Sequence, residues 1–414
     1  MKAILERVDN PHLSLKAVHI AGTKGKGSTA AIITSILNSA GYKVGLYTSP
    51  HLISPRERIR IGNELIKEEE FSLYLEEVKA VVENIKYEGT SLHPTFFEVY
   101  TALAFTYFYH KGVDIAVVEV GLGGRLDATN VIRPLVEVIT PISFDHTQQL
   151  GNKLTSIAKE KAGIIKPGSK VVISRQEREV ISLLQKICEQ RGVGFYKVGK
   201  DIKFNLKKAT PRHQIFNVDG ILRKYFSIFL PLPGEHQLWN ATAAIGVVEL
   251  LQEYGFSVPV ESVKSGISSV KWPGRIQMIS RKPVTLVDCA HNGASAQCLA
   301  KFLREFYPGK NIVIVIGILK NKDLKAIAEA LCPLAMRVIV AHINSPRALS
   351  VDEIYAKIKG YCQEKPIKEG NLKRALGMAG KIAGEDGVVC ITGSVYLVGE
   401  VLGMTHGGNI EIAK

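Results

Sequence analysis

The stretch HIAGTKGKGST, His19 to Thr29, decides how the rest of the chain is read. It follows the apolar run LKAV and sets Gly22, Gly25 and Gly27 among Thr23, Lys24, Lys26, Ser28 and Thr29. Glycines let backbone amides turn inward with no Cβ in the way. A helix starting near Ser28 adds the positive end of its dipole. Lys26 supplies a point charge for β and γ phosphates, and the hydroxyl of Ser28 or Thr29 suits Mg²⁺. Strand, glycine loop, lysine, hydroxyl and helix in that order form a phosphate cradle. A glycine separates Lys26 from Ser28, so the strict P-loop pattern is not met, and a tight structural turn is the plainer alternative.

Working outward, the chain alternates short β-branched runs with helical patterns. LKAVHIAG, YKVGLYTSP, DIAVVEVG, LVEVITPIS and KVVIS read as strands. STAAIITSILNSAG, EEEFSLYLEEVKAVVENI and the more apolar TFFEVYTALAFTYFYHKG read as helices. Strands without strict apolar–polar alternation suit a parallel sheet covered on both faces, and the β-α-β order predicts an α/β fold. From about Gly199 to Leu232 the pattern changes to a small antiparallel insertion turning at Val218-Asp219-Gly220. After Trp272-Pro273-Gly274 the alternation restarts with VTLVDCAHN, NIVIVIGIL, MRVIVAHI and GVVCITGS. The expectation is a mostly parallel P-loop-type domain over 1–272 and a smaller doubly wound, Rossmann-like domain over 273–414.

Composition narrows the function classes. No apolar run reaches the roughly 18 residues of a membrane span. The charged N-terminus lacks a signal-peptide core, so a cytoplasmic protein is expected. Cys188, Cys289, Cys298, Cys332, Cys362 and Cys390 are widely spaced, which predicts reduced thiols rather than a disulfide or zinc framework. The net charge of +14 is spread along the chain without a basic tail or nucleic-acid motif, so small polyanions are the expected partners.

Further residues fall at strand ends, where open α/β sheets bind ligands. They are Ser49 in TSPHL, Glu119 in EVGLGGRLDATN, and Asp145 and His146 in ITPISFDHTQQLG. Mg²⁺ takes oxygen ligands readily and histidine only sometimes, and a buried structural histidine is the plain alternative for His146.

Together, GTKGKGS, TSPHL with RERIRI, VGLGGRLDATN, FDHTQQLG with KEKAGIIKPG, PGEHQLWNA and DCAHN resemble the folylpolyglutamate synthase and dihydrofolate synthase family of the Mur ligase superfamily. The resemblance runs from about Leu5 to the closing segment TGSVYLVGEVL. It implies an ATP-dependent ligase that adds L-glutamate to a reduced folate through an acyl phosphate. It implies ATP contacts at Gly22 to Thr29 and at Asn240, Arg275 and Asp288. Mg²⁺ ligands, for two ions, would be Ser28, Ser49, Glu119, His146 and Lys161, the last as a carbamate; an ordinary surface lysine is the alternative there. Lys26, Glu119, His146, Lys161 and His291 would serve the chemistry. Folate contacts are implied at Thr95, Phe96, Phe97, Glu98, Arg58 and Arg125, where helix packing is the alternative for the two phenylalanines.

Within the family two acceptors stay open. Lys24 stands where many bacterial members have asparagine, which resembles the versions that only extend folates. The run ahead of the first strand is short, which puts dihydropteroate use in doubt. A cell-wall precursor ligase, a small-molecule kinase and a nucleotide-binding regulator are the other readings. A monomer without nucleic-acid or membrane partners is expected.

Overall fold

The computed structural model describes residues 1–87 and 93–406. Five β-branched runs, Ala17–Ala21 (β1), Val44–Tyr47 (β2), Ile115–Glu119 (β5), Val136–Ile139 (β6) and Lys170–Ile173 (β7), pair in parallel. Every residue of β1, β2, β5 and β6 is buried, because helices cover both faces of the sheet. Gly194–Lys197 (β8) extends this sheet at one side. Ile59–Ile61 (β3) and Glu64–Leu65 (β4) extend it antiparallel at the other. The order is β4-β3-β2-β5-β1-β6-β7-β8. Strand β1 therefore lies between two strands that come later in the chain, and the loop leaving it opens at the switch point of the sheet.

Two details differ from the sequence expectation. The helix after the cradle spans Lys26–Ser39 and so begins two residues before Ser28. Its N-cap is Gly25 at φ 84, a left-handed conformation that glycine adopts without steric cost. The arginine-rich segment after TSPHL is not only a loop. It closes a 3₁₀ turn at Pro55–Arg58 and then enters β3, where buried Ile59 pairs with Tyr47.

Lys203–Ala209 (β9), Gln214–Asp219 (β10) and Lys224–Leu230 (β11) form a three-stranded antiparallel sheet, with the expected turn after Asp219. Its inner residues Phe216, Val218, Tyr225 and Ile228 join the core beneath the helix Glu235–Leu251.

The last sheet contains Gln277–Arg281 (β12), Val284–Val287 (β13), Ile312–Ile316 (β14), Arg337–Ala341 (β15), Ile367–Glu369 (β16) and Val388–Thr392 (β17). Its order is β12-β13-β17-β14-β15-β16, parallel except for β12. Two apolar cores, one on each face, hold it between helices. No described helix is long and apolar enough to cross a membrane.

Candidate functional site

The cradle is built by close packing. Gly22 stands against Thr140 at the end of β6, and its φ of 147 lies outside the usual L-residue range. A Cβ on Gly25 would overlap Asn240 Oδ1, and one on Gly27 would lie 2.9 Å from Trp272 Cζ2. Each glycine thus lets a neighbour reach the loop backbone. The amides of Thr23 and Lys24 donate to Pro141 O at 2.9 and 3.1 Å, which fixes the entry to the loop. No side chain caps the helix Lys26–Ser39, so its first amides face the loop without intrahelical acceptors. Thr29 Oγ1 is buried and unpartnered.

Charge gathers around this loop. Lys26 Nζ lies 3.7 Å from Glu119 Oε1 at the end of β5. Glu119 is 4% exposed, and its Oε2 accepts from Ser49 N at 3.1 Å. Burial pushes its carboxyl upward, against the pull of Lys26. Lys161 is only 5% exposed, so the helix-surface alternative fails: its stem enters the core and Nζ donates to Gly22 O at 2.9 Å. Burial, then Lys26, pulls this amine down to about 7. Burial likewise pulls Lys24 down to about 7, although Asp145 opposes the shift.

Asp145, after β6, receives groups from both sheets. Its Oδ2 accepts from Asn292 Nδ2 at 2.8 Å and lies 3.5 Å from Lys24 Nζ. Its Oδ1 accepts from Lys322 Nζ at 3.1 Å. Burial disfavours the carboxylate, but Lys24 and Lys322 outweigh it and hold Asp145 well below the usual range. His146 beside it is half exposed and keeps to the low side because burial penalises its cation. His291 Nδ1–H donates to Cys289 O at 2.8 Å, leaving Nε2 3.9 Å from Asp145 Oδ2. Burial, helped by Lys24 and Lys322, lowers His291 to about 3, so the ring is neutral.

On the side of β12, Asp288 accepts from Ile276 N and Ala290 N, both at 2.9 Å. The first bond holds Ile276 at φ 46, a strained value for a β-branched residue. The adjacent Arg275 donates from Nη1 to Gly274 O at 3.1 Å, and its charge acts on Asp288 and Glu119. Asn240 Nδ2 donates to Gln237 Oε1 at 2.9 Å and packs on Gly25.

The expected folate residues divide. Thr95 and Glu98 form a reciprocal capping box at the start of the helix Phe96–His110, and Glu98 also pairs with the Met1 amine at 2.7 Å. Their polar groups are thereby committed to structure. Phe97 packs over Gly121 and against Tyr47. Phe96 is 61% exposed and leans on Tyr100, with Arg58 5.5 Å from both ring centroids. Arg58 Nε also donates to His51 Nδ1 at 3.0 Å. Arg125 pairs with Glu160 at 3.1 Å.

Sequence reading placed Asp145 at the rim without a role and passed over Lys322. Lys322 follows β14 in GILKNKD, and the strand-end rule that found Glu119 applies equally there.

Among the described residues no three His, Cys, Asp or Glu side chains gather into a metal cluster. Mg²⁺ needs only one or two carboxylates when phosphates and water complete its shell. Buried Glu119 and the orphaned Thr29 hydroxyl beside a loop of amides meet that lesser requirement.

A loop of amides and amines at the strand ends of the eight-stranded sheet, faced by the strand ends of the six-stranded sheet, marks a nucleotide-binding α/β protein. The Mur ligase middle domain matches residues 20–248, and the Mur ligase glutamate ligase domain matches 274–395. The Bacillus subtilis dihydrofolate synthase/folylpolyglutamate synthase is 33% identical over 97% of this chain and 93% of its own. The Saccharomyces cerevisiae dihydrofolate synthetase is 33% identical over 96% of this chain and 95% of its own. The crystal structure of Mycobacterium tuberculosis folylpolyglutamate synthase complexed with ADP and AMPPCP superposes with a TM-score of 0.91 at 34% identity, covering 99% and 95% of the two chains. The chain belongs to the folylpolyglutamate synthase/dihydrofolate synthase family of Mur ligases.

Proposed function

We propose that this enzyme uses ATP to join L-glutamate to the terminal glutamate carboxylate of a reduced folate, releasing ADP and phosphate. The observation that carries the reading is the cradle itself: a glycine loop at an uncapped helix end, with Lys24, Lys26 and Lys322 gathered around it. Amides and amines that converge at a helix N-terminus suit the phosphates of ATP.

A carboxylate is a poor electrophile, since its charge repels nucleophiles and oxide is a bad leaving group. The folate carboxylate oxygen attacks the γ-phosphorus, and ADP leaves. Lys26 and the amides of Gly25 to Ser28 stabilise the charge that develops there. The amine of L-glutamate then attacks the acyl carbon, loses a proton, and phosphate departs with the former carboxylate oxygen. The second domain, 273–414, closes over the first, 1–272, and keeps water from the acyl phosphate. Neutral His291 offers Nε2 as a hydrogen-bond acceptor toward the incoming amine. Arg275, Asn240 and Asp288 hold the nucleoside end. Arg58 over Phe96, with Phe97 and Arg125 near the same rim, serves the folate and its glutamate tail.

Mg²⁺, when bound, supplies Lewis-acid neutralisation of the phosphates. Ser28 or Thr29, with Ser49, Glu119 and His146, would hold it, with Lys161 at a second ion. Lys161 suits that place as a carbamate, because a neutral amine is the form that adds CO₂ and its lowered basicity leaves much of it neutral at pH 7. The enzyme acts as a cytoplasmic monomer. The Saccharomyces cerevisiae relative named dihydrofolate synthetase supports a second acceptor, dihydropteroate.

The test is phosphate release with ATP, Mg²⁺, L-glutamate and tetrahydrofolate. Release that needs both folate and glutamate, and disappears in Lys26→Ala and in Glu119→Ala while each variant stays folded, supports the ligase. Release onto one substrate without glutamate means a kinase, and full activity in either variant contradicts the site.

A further inference from the structure

We propose that Asp145 is a positioning residue that locks the two sheets together over the cradle and thereby brings Lys322 to it. The inference rests on the ligase reading of the same site.

Asp145 is poorly explained as a phosphate contact. A buried carboxylate beside a phosphate loop repels the ligand, so its role must lie with cations and amides. Its two oxygens divide the work. Oδ2 faces Lys24 of the cradle and Asn292 after β13. Oδ1 faces Lys322 after β14, and its own neighbour His146 N at 3.0 Å. The carboxylate thus joins the strand ends of one sheet to those of the other. It also separates two ammonium groups that would otherwise repel each other.

Asn292 makes the joint rigid. Its Oδ1 caps the helix Gly293–Phe306 by accepting from Ser295 N at 3.1 Å, while its amide reaches Asp145. The cap fixes the side chain that spans the gap. Lys322 is 16% exposed in its side chain, and among the described residues its recorded ion pair is the one with Asp145. An opened cleft would leave both Lys322 and Asp145 without this partner. The closed arrangement alone therefore adds a cation from the second sheet to the charge around the phosphates. This ties phosphoryl transfer to closure, a known route to suppressing idle hydrolysis.

The experiment compares wild type, Asp145→Asn, Lys322→Met and the double variant. Loss of one partner of a buried charge pair predicts a kcat at least about 30-fold lower in each single variant. Binding of a non-hydrolysable ATP analogue, read by calorimetry, should weaken in both single variants, because each loses the closed arrangement that brings the Lys322 cation toward the phosphates. The double variant should be no slower than the worse single one. Small-angle scattering should show that the analogue compacts wild type and compacts neither variant. Multiplicative losses, analogue binding unchanged in both single variants, or compaction of both variants as in wild type would each overturn the proposal. Should Asp145→Asn fail to fold, Lys322→Met carries the kinetic and scattering tests alone. The scattering arm needs no folate or glutamate, so its result stands apart from whether wild type proves to be a ligase.

Discussion

Gly25→Ala is the substitution whose effect follows most directly from geometry. Gly25 has φ 84 and ψ −7 and caps the helix Lys26–Ser39. An L-residue there costs about 1–2 kcal/mol in backbone strain. The new methyl would overlap Asn240 Oδ1 and lie 3.1 Å from its Cγ. Asn240 can yield only by breaking its bond to Gln237, a loss of about 1 kcal/mol. The total is about 2–3 kcal/mol. If the loop yields instead of the helix, its amides no longer converge and nucleotide binding weakens roughly 30- to 150-fold. Calorimetric titration with a non-hydrolysable ATP analogue reads the affinity, and denaturant unfolding reads the stability. An affinity within twofold of wild type, together with unchanged stability, would refute the packing argument.

Other outcomes follow from burial and charge. Lys161 has its basicity lowered in the fold, so folding sheds a proton and the stability cost is full below about pH 7 and relieved as pH rises toward the unfolded value. Lys161→Met should therefore be more stable than wild type at pH 6, with the gap closing toward pH 10, while turnover is lost; unfolding curves across pH check this. Glu137 is fully buried in β6, and burial pushes it up to about 8. Folding takes up a proton there, so wild type should lose stability between about pH 5 and 8. Glu137→Gln should lack that loss, a difference on the order of 3 kcal/mol in denaturant titrations. Arg58→Ala removes the cation over Phe96 and Tyr100 and should raise KM for the folate about tenfold with little change in KM for ATP, measured by steady-state kinetics.

The sheets were legible because β-branched runs such as IAVVE and VEVI have no other stable place than a covered parallel sheet. The cradle was legible because its glycines and lysines are local in sequence. Lys161 was ambiguous for a physical reason: KEK is a solvated pattern on most helices, and only the turn of this helix toward Gly22 buries it. Thr95 and Glu98 carry a second, purely local signal. Their spacing is that of a capping box, and the structure uses them so. The hub at Asp145 was illegible because its partners Asn292 and Lys322 lie well over a hundred residues away, and no local pattern records such a meeting.

The central claim is that the folate carboxylate is phosphorylated before glutamate attacks it. Both oxygens of the acceptor carboxylate can be labelled with ¹⁸O and the released phosphate analysed by mass spectrometry after one turnover. Passage through the acyl phosphate predicts that each phosphate carries one labelled oxygen and the amide keeps the other. Unlabelled phosphate alongside normal product would contradict it.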